Sequence, residues 1–149
     1  MCRLFLFLFV ITNVQAQTFT QKDTLRGTLS KERTWFDVNY YHLNLEVDPV
    51  SKSIAGFNDI AFTVLKSSNV LQLDLFENML IDSVIYKGLS CDVSRTFDAF
   101  FVDLPYDLNV GSYELLRVYC HGTPIEAKRA PWDGGFVWKK DESGLPWIG

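Results

Sequence analysis

The stretch Asp37–Leu65 most constrains what this chain can become, because it carries the side-chain period of two that a half-buried strand shows and a helix cannot. Tyr41, Leu43, Leu45 and Val47 alternate with His42, Asn44, Glu46 and Asp48. Pro49-Val50-Ser51-Lys52-Ser53 breaks that pattern with a proline unable to donate to a ladder, followed by small polar residues suited to a reversal. The alternation then resumes, with Ile54, Ile60, Phe62 and Val64 on one side and Asp59 and Thr63 on the other. Gly56, inside this second strand, marks a bulge or a close backbone approach. A lone hairpin cannot hide its apolar face, so more strands or a partner sheet are required.

The rest of the chain supplies them. Leu71, Leu73 and Leu75 alternate with Gln72 and Asp74, Leu80 to Lys87 forms a fourth strand, Cys91 to Arg95 a short fifth, and Phe100, Val102 and Leu104 a sixth. Ser112 to His121 is apolar on both sides, the mark of a central or sandwiched strand. Short strands with turn chemistry between them, and no helical period, predict an all-β fold: an antiparallel β-sandwich or curved sheet.

Met1–Ala16 has one positive charge at Arg3, an apolar core from Leu4 to Ile11 and small residues in Val14-Gln15-Ala16, the layout of a signal peptide cleaved between Ala16 and Gln17. A membrane anchor needs roughly 20 apolar residues, and this run is far shorter. The expected address is therefore secreted or periplasmic, with no stable membrane anchor. Cleavage leaves a chain sized for one domain. Residues 17–34 are polar and without apolar period, and are expected to be a flexible lead-in. Residues 35–149 are then the β domain, and because the chain stops at Gly149 just after an apolar strand restarts, the domain is expected to be interrupted at its C-terminal end.

Composition excludes some partners. The net charge of -4 and the lack of any basic run argue against nucleic acid. Cys91 and Cys120 remain after cleavage; each alternates in phase with apolar neighbours, so they are read as small buried hydrophobes rather than a disulfide. His42 and His121 lack a second ligand-type residue at metal spacing, and are read as solvated imidazoles. No H-E-x-x-H, G-x-S-x-G or phosphate loop occurs. Carboxylates such as Glu46, Asp48, Asp59, Asp74 and Asp103 fall on outward positions and are read as solubilising. No catalytic, cofactor-binding or metal-ligating residue is assigned. One sharper reading concerns Trp132, Phe136, Trp138 and Trp147, which could form a stacking platform for sugar or peptide, although aromatics flanking Gly134-Gly135 more often serve packing.

Taken in order, Phe36-Asp37-Val38, Tyr41-His42-Leu43-Asn44-Leu45-Glu46-Val47-Asp48-Pro49, Ser53-Ile54-Ala55-Gly56, Leu71-Gln72-Leu73-Asp74-Leu75 and Leu80-Ile81-Asp82-Ser83-Val84 resemble the amino-terminal β domain of the zinc aminopeptidases typified by aminopeptidase N and leukotriene hydrolase. Gly111-Ser112-Tyr113 with Tyr119-Cys120-His121-Gly122-Thr123-Pro124 is similar to that domain's late strand, and Pro131-Trp132-Asp133-Gly134-Gly135-Phe136-Val137-Trp138 to secreted Bacteroidetes-type members. The resemblance spans about residues 33 to 149. It implies a saddle-like antiparallel domain packed on a thermolysin-like catalytic domain of the same polypeptide, which would hold zinc and cleave N-terminal residues from peptide substrates. The family's G-x-M-E-N loop and H-E-x-x-H helix are in that later domain and absent from this sequence, so no functional residue is carried over. The alternative is a free-standing secreted β-sandwich that binds carbohydrate or a protein partner through Trp132, Trp138 and Trp147.

Overall fold

The computed structural model describes residues 18–149, so the expected signal peptide and its cleavage point lie outside the described residues. The expected hairpin forms from β1 (Phe36–Asp48) and β2 (Ser53–Val64). Its reversal is shaped by Asp48, whose carboxylate accepts from the Val50 amide at 2.8 Å and the Ser51 hydroxyl at 2.6 Å. Lys52 completes the turn with φ 53°. The chain continues through β3 (Val70–Asp74), β4 (Met79–Tyr86), β5 (Leu89–Ser90), β6 (Asp92–Thr96), β7 (Ala99–Asp103), β8 (Tyr113–Gly122), β9 (Trp138–Lys140) and β10 (Pro146–Ile148). Every named pairing is antiparallel.

These strands make a five-stranded sheet, ordered β1-β2-β8-β4-β5, and a three-stranded sheet, ordered β3-β7-β6, with β9 and β10 as a separate pair. The strand read as apolar on both sides, β8, does lie inside its sheet, between β2 and β4. The two larger sheets face each other across one interior. Ile60, Phe62 and Val64 of β2, Val84 and Tyr86 of β4, and Leu116 and Val118 of β8 meet Leu71 of β3 and Phe100 and Val102 of β7. The fold is thus an all-β antiparallel sandwich. Trp35 closes one end of the interior, with edge-on contacts to Phe36 and Phe62 and its indole N–H donating to the Val70 carbonyl at 2.6 Å.

One irregularity decides how β1 sits. In the sequence its inward residues change parity, from Phe36 and Val38 to Tyr41, Leu43, Leu45 and Val47. A register shift between Val38 and Tyr40 absorbs one residue, so that Val38 pairs with Phe62 and Tyr41 with Ile60. All six side chains therefore share the face that carries Ile60 and Phe62. Gly56 resolves as a close approach: it sits at φ 153°, and a Cβ there would lie 2.0 Å from the Asn44 carbonyl oxygen across the ladder.

Of the segment 17–34, expected as a lead-in, the structure describes residues 18–34. It contains α1 (Gln21–Gly27), opened by a capping box in which Thr20 and Asp23 exchange side-chain and backbone hydrogen bonds. The segment packs over the outer side of the three-stranded sheet. Gln72, only 2% exposed, donates to the Leu25 carbonyl and accepts from the Ser30 hydroxyl, both at 2.9 Å. Lys22 reaches Asp98 at 3.1 Å, and Arg33 pairs with Asp74. Polar residues thus order this segment through specific partners, which an apolar period cannot reveal.

Phe62 is fully buried at the meeting point of both sheets. Phe62→Ala is expected to lower the unfolding free energy by about 3–5 kcal/mol in urea denaturation. A loss below about 1 kcal/mol would mean that the interior collapses around the gap, against this packing. Gly56→Ala, which forces β1 and β2 apart, is expected to destabilise the chain in the same assay.

Candidate functional site

The outer face of the five-stranded sheet carries a polar cluster built by strand register. Asp59 on β2 pairs with Arg117 on β8 and with His42 on β1. Arg117 grips Asp59 with two hydrogen bonds, Nε to Oδ1 at 2.6 Å and Nη2 to Oδ2 at 2.8 Å. The guanidinium carbon lies 3.9 Å from the Phe57 ring centroid, and His42 Nδ1 stands 3.6 Å from Asp59 Oδ2. Asp59 is only 7% exposed. It is therefore a buried, paired charge, which corrects its reading as a solubilising residue. The hydrogen bonds from Arg117 hold its carboxyl below the usual range, against the burial that opposes ionisation.

His121 also finds an aspartate, its Nδ1 lying 2.6 Å from Asp82 Oδ1. Both histidines are about half exposed at the side chain. On the interior side, Glu114 is buried; burial acts to raise its carboxyl, but hydrogen bonding, with Tyr86 first, outweighs it and leaves it lowered. The Tyr86 hydroxyl donates to Glu114 at 2.7 Å, and burial pushes that phenol up to about 12. Lys87 completes the group at 3.0 Å from Glu114. Asp59 and Glu114 are thus each met by a cation, Arg117 and Lys87, the arrangement of a structural network. Among the described residues, no group of three or more His, Cys, Asp or Glu side chains could hold a metal ion.

Cys91 and Cys120 are free thiols, both partly buried, and burial raises each thiol above its ordinary value. Cys91 packs against the core as a small hydrophobe. The tryptophans are not brought together as one platform by the β9–β10 pair. Trp138 pairs with Ile148 while Trp147 pairs with Lys139, so the two indoles leave opposite faces of this ribbon. Trp138 instead stacks on Phe136, with centroids 5.3 Å apart, while Trp132 is 87% exposed.

One further feature is one that alternation could not show. The five-stranded sheet extends past the three-stranded sheet, leaving an open apolar groove of about 740 Å3 lined by Tyr41, Leu43, Leu45, Ile54, Ile125 and Phe136 among others. Leu43 remains 62% exposed although it shares the core face. Asn58 also lines the groove, and its buried Oδ1 meets no hydrogen-bond donor among the described residues. No helix among the described residues is long and apolar enough to cross a membrane.

This architecture is shared with zinc peptidases. The chain superposes on the M1 zinc metallopeptidase from Deinococcus radiodurans with a TM-score of 0.58 and 22% identity, covering 73% of this chain and 27% of that one. A mutant of the Deinococcus radiodurans enzyme bound to a Tyr-Ser-Ala substrate gives a TM-score of 0.59 and 21% identity over 77% of this chain and 29% of that one. Native leukotriene A4 hydrolase from Saccharomyces cerevisiae gives 0.57 and 17%, over 89% and 21% respectively. At these identities the likeness is one of fold. The chain spans less than a third of the length of each of these structures. No family model matches the sequence, and no curated protein sequence matches it.

A pH test follows from Asp59 and Glu114. Their folded carboxyls titrate below the unfolded values near ~4, so as pH falls the unfolded chain takes up protons first. Their contribution is complete above about pH 4 and is lost as pH drops through the folded values. The melting temperature is expected to fall on acidification below about pH 4, with a shallower acid limb in Asp59→Asn, which also melts lower at pH 7. Parallel acid limbs in the two proteins would show that Asp59 has no part in this dependence.

Proposed function

We propose that this chain is the amino-terminal β domain of an exported zinc metallo-aminopeptidase of the kind typified by aminopeptidase N and leukotriene hydrolase, serving as scaffold rather than as catalyst. The observation that carries this reading is the coincidence of fold and wording. The same antiparallel sandwich is found in a bacterial zinc metallopeptidase and in yeast leukotriene A4 hydrolase, and the ordered motifs from Phe36 to Trp138 independently resemble that domain. The leader-like Met1–Ala16 supports export, by cleavage after Ala16, to the periplasm or the medium.

The donor set of the described residues does not fit zinc, because His42 on β1 and His121 on β8 stand apart with β2 between them, and no three His, Cys, Asp or Glu side chains come together. In this reading the metal and the peptide-cleaving groups belong to a catalytic domain of the same polypeptide. The open groove is the surface assigned to contact with that domain, since an exposed apolar face of this size calls for cover. The complete enzyme would remove N-terminal residues from peptide substrates, with this domain forming one wall of the cleft.

Sequencing the transcript past codon 149 tests the reading: an in-frame H-E-x-x-H supports it, and a stop codon with no such motif overturns it. The isolated chain is expected to show no turnover of aminoacyl-anilides with added zinc. Chelator-sensitive turnover would remove the scaffold assignment. N-terminal sequencing of the exported product is expected to begin at Gln17.

The alternative of a carbohydrate- or protein-binding module draws on the exposure of Trp132. Titration with glycans and peptides, read by tryptophan fluorescence, decides it: a response abolished by Trp132→Ala favours this module, and no response removes it.

A further inference from the structure

The strand β1 stands at the edge of its sheet, with β2 as its one neighbour. Among the described residues no backbone hydrogen bond reaches its other side. Such an edge is a template for one more strand, and natural edges are usually blunted by lysine, proline or short length. β1 has thirteen residues and contains neither lysine nor proline. Its single irregularity, the shift between Val38 and Tyr40, leaves Tyr40–Asp48 as an unbroken run of nine residues.

That run is complementary to itself. When two copies are laid antiparallel with Asn44 opposite Asn44, all nine residues pair and both copies keep their core faces on the same side. Leu43 then faces Leu45 and Tyr41 faces Val47 on the apolar side. On the outer side His42 faces Glu46, Tyr40 faces Asp48, and no two like charges are opposed. Shifting the pairing by one residue would set apolar against polar faces, and shifting by two would leave ends unpaired and move Glu46 away from His42.

We propose that the chain dimerises through its β1 edge, a second copy adding its own β1 antiparallel about Asn44 to make one continuous ten-stranded sheet. The four exposed apolar residues Tyr41, Leu43, Leu45 and Val47 of each copy would join into a single strip across the twofold axis. This isologous arrangement closes on itself and so stops at two copies. It does not depend on the aminopeptidase reading, which can stand or fall separately.

Light scattering after size exclusion on the full chain tests it. A dimer, twice the 17.1 kDa of the chain, is expected at about 50 μM. Leu43→Lys places a charge in the strip at an exposed position the fold does not need, and is expected to weaken association at least about tenfold while far-UV circular dichroism stays unchanged. Asn44→Cys is expected to form an intermolecular disulfide under mild oxidation beyond that of the unsubstituted chain, whereas Glu46→Cys, which faces His42 in this register, is not. A monomer, a dimer indifferent to Leu43→Lys, or absence of the Asn44→Cys cross-link would each overturn the pairing.

Discussion

The burial of one face of β2 between two sheets is the contact on which the other elements depend. Ile60, Phe62 and Val64 sit in the middle of the interior, and both neighbours of β2 are registered to that face. Burying a large apolar side chain contributes about 1.5–3 kcal/mol. Three consecutive inward positions on one strand therefore outweigh any single polar contact here. Trp35, Leu71 and Phe100 are held against this face from the opposite side, and the lead-in helix is held in turn against the back of the sheet that supplies Leu71 and Phe100.

The charged groups follow from that arrangement rather than direct it. Once Ile60 and Leu116 face inward, Asp59 and Arg117 must face outward side by side, and a bidentate pair screened by Phe57 and Tyr119 results. Glu114 is the inward exception, tolerated because Tyr86 and Lys87 meet it. Among the described residues no three His, Cys, Asp or Glu side chains come together as a metal-binding trio. What the molecule does present is shape: a sandwich whose longer sheet offers an apolar groove on one face and an open backbone along one edge.

Much of this was legible in residue order. Alternation located the β1–β2 hairpin, β3, β4, β7 and β8, and the two-sided apolar pattern placed β8 between neighbours. Gly56 announced a bulge or a close approach, and the approach is to Asn44. The capping pair Thr20 and Asp23 was a local signal for α1 that the absence of apolar periodicity concealed. A charged residue within an otherwise apolar stretch, as Arg117 is between Leu116 and Val118, was the available sign of a cross-strand partner, but the identity of that partner depends on register. The tryptophans show the same limit: adjacency in sequence placed Trp138 and Trp147 together, while pairing sent them to opposite faces.

By itself the sequence determined the strand class, the reversals and which side of each strand is apolar, because these depend on a period of two and on local turn chemistry. The tertiary structure decided which apolar positions are covered. Leu43 and Phe62 point to the same side of the same sheet, yet one is 62% exposed and the other fully buried. The difference lies in how far the second sheet reaches across the first, a distance between segments remote in the chain that no local pattern encodes.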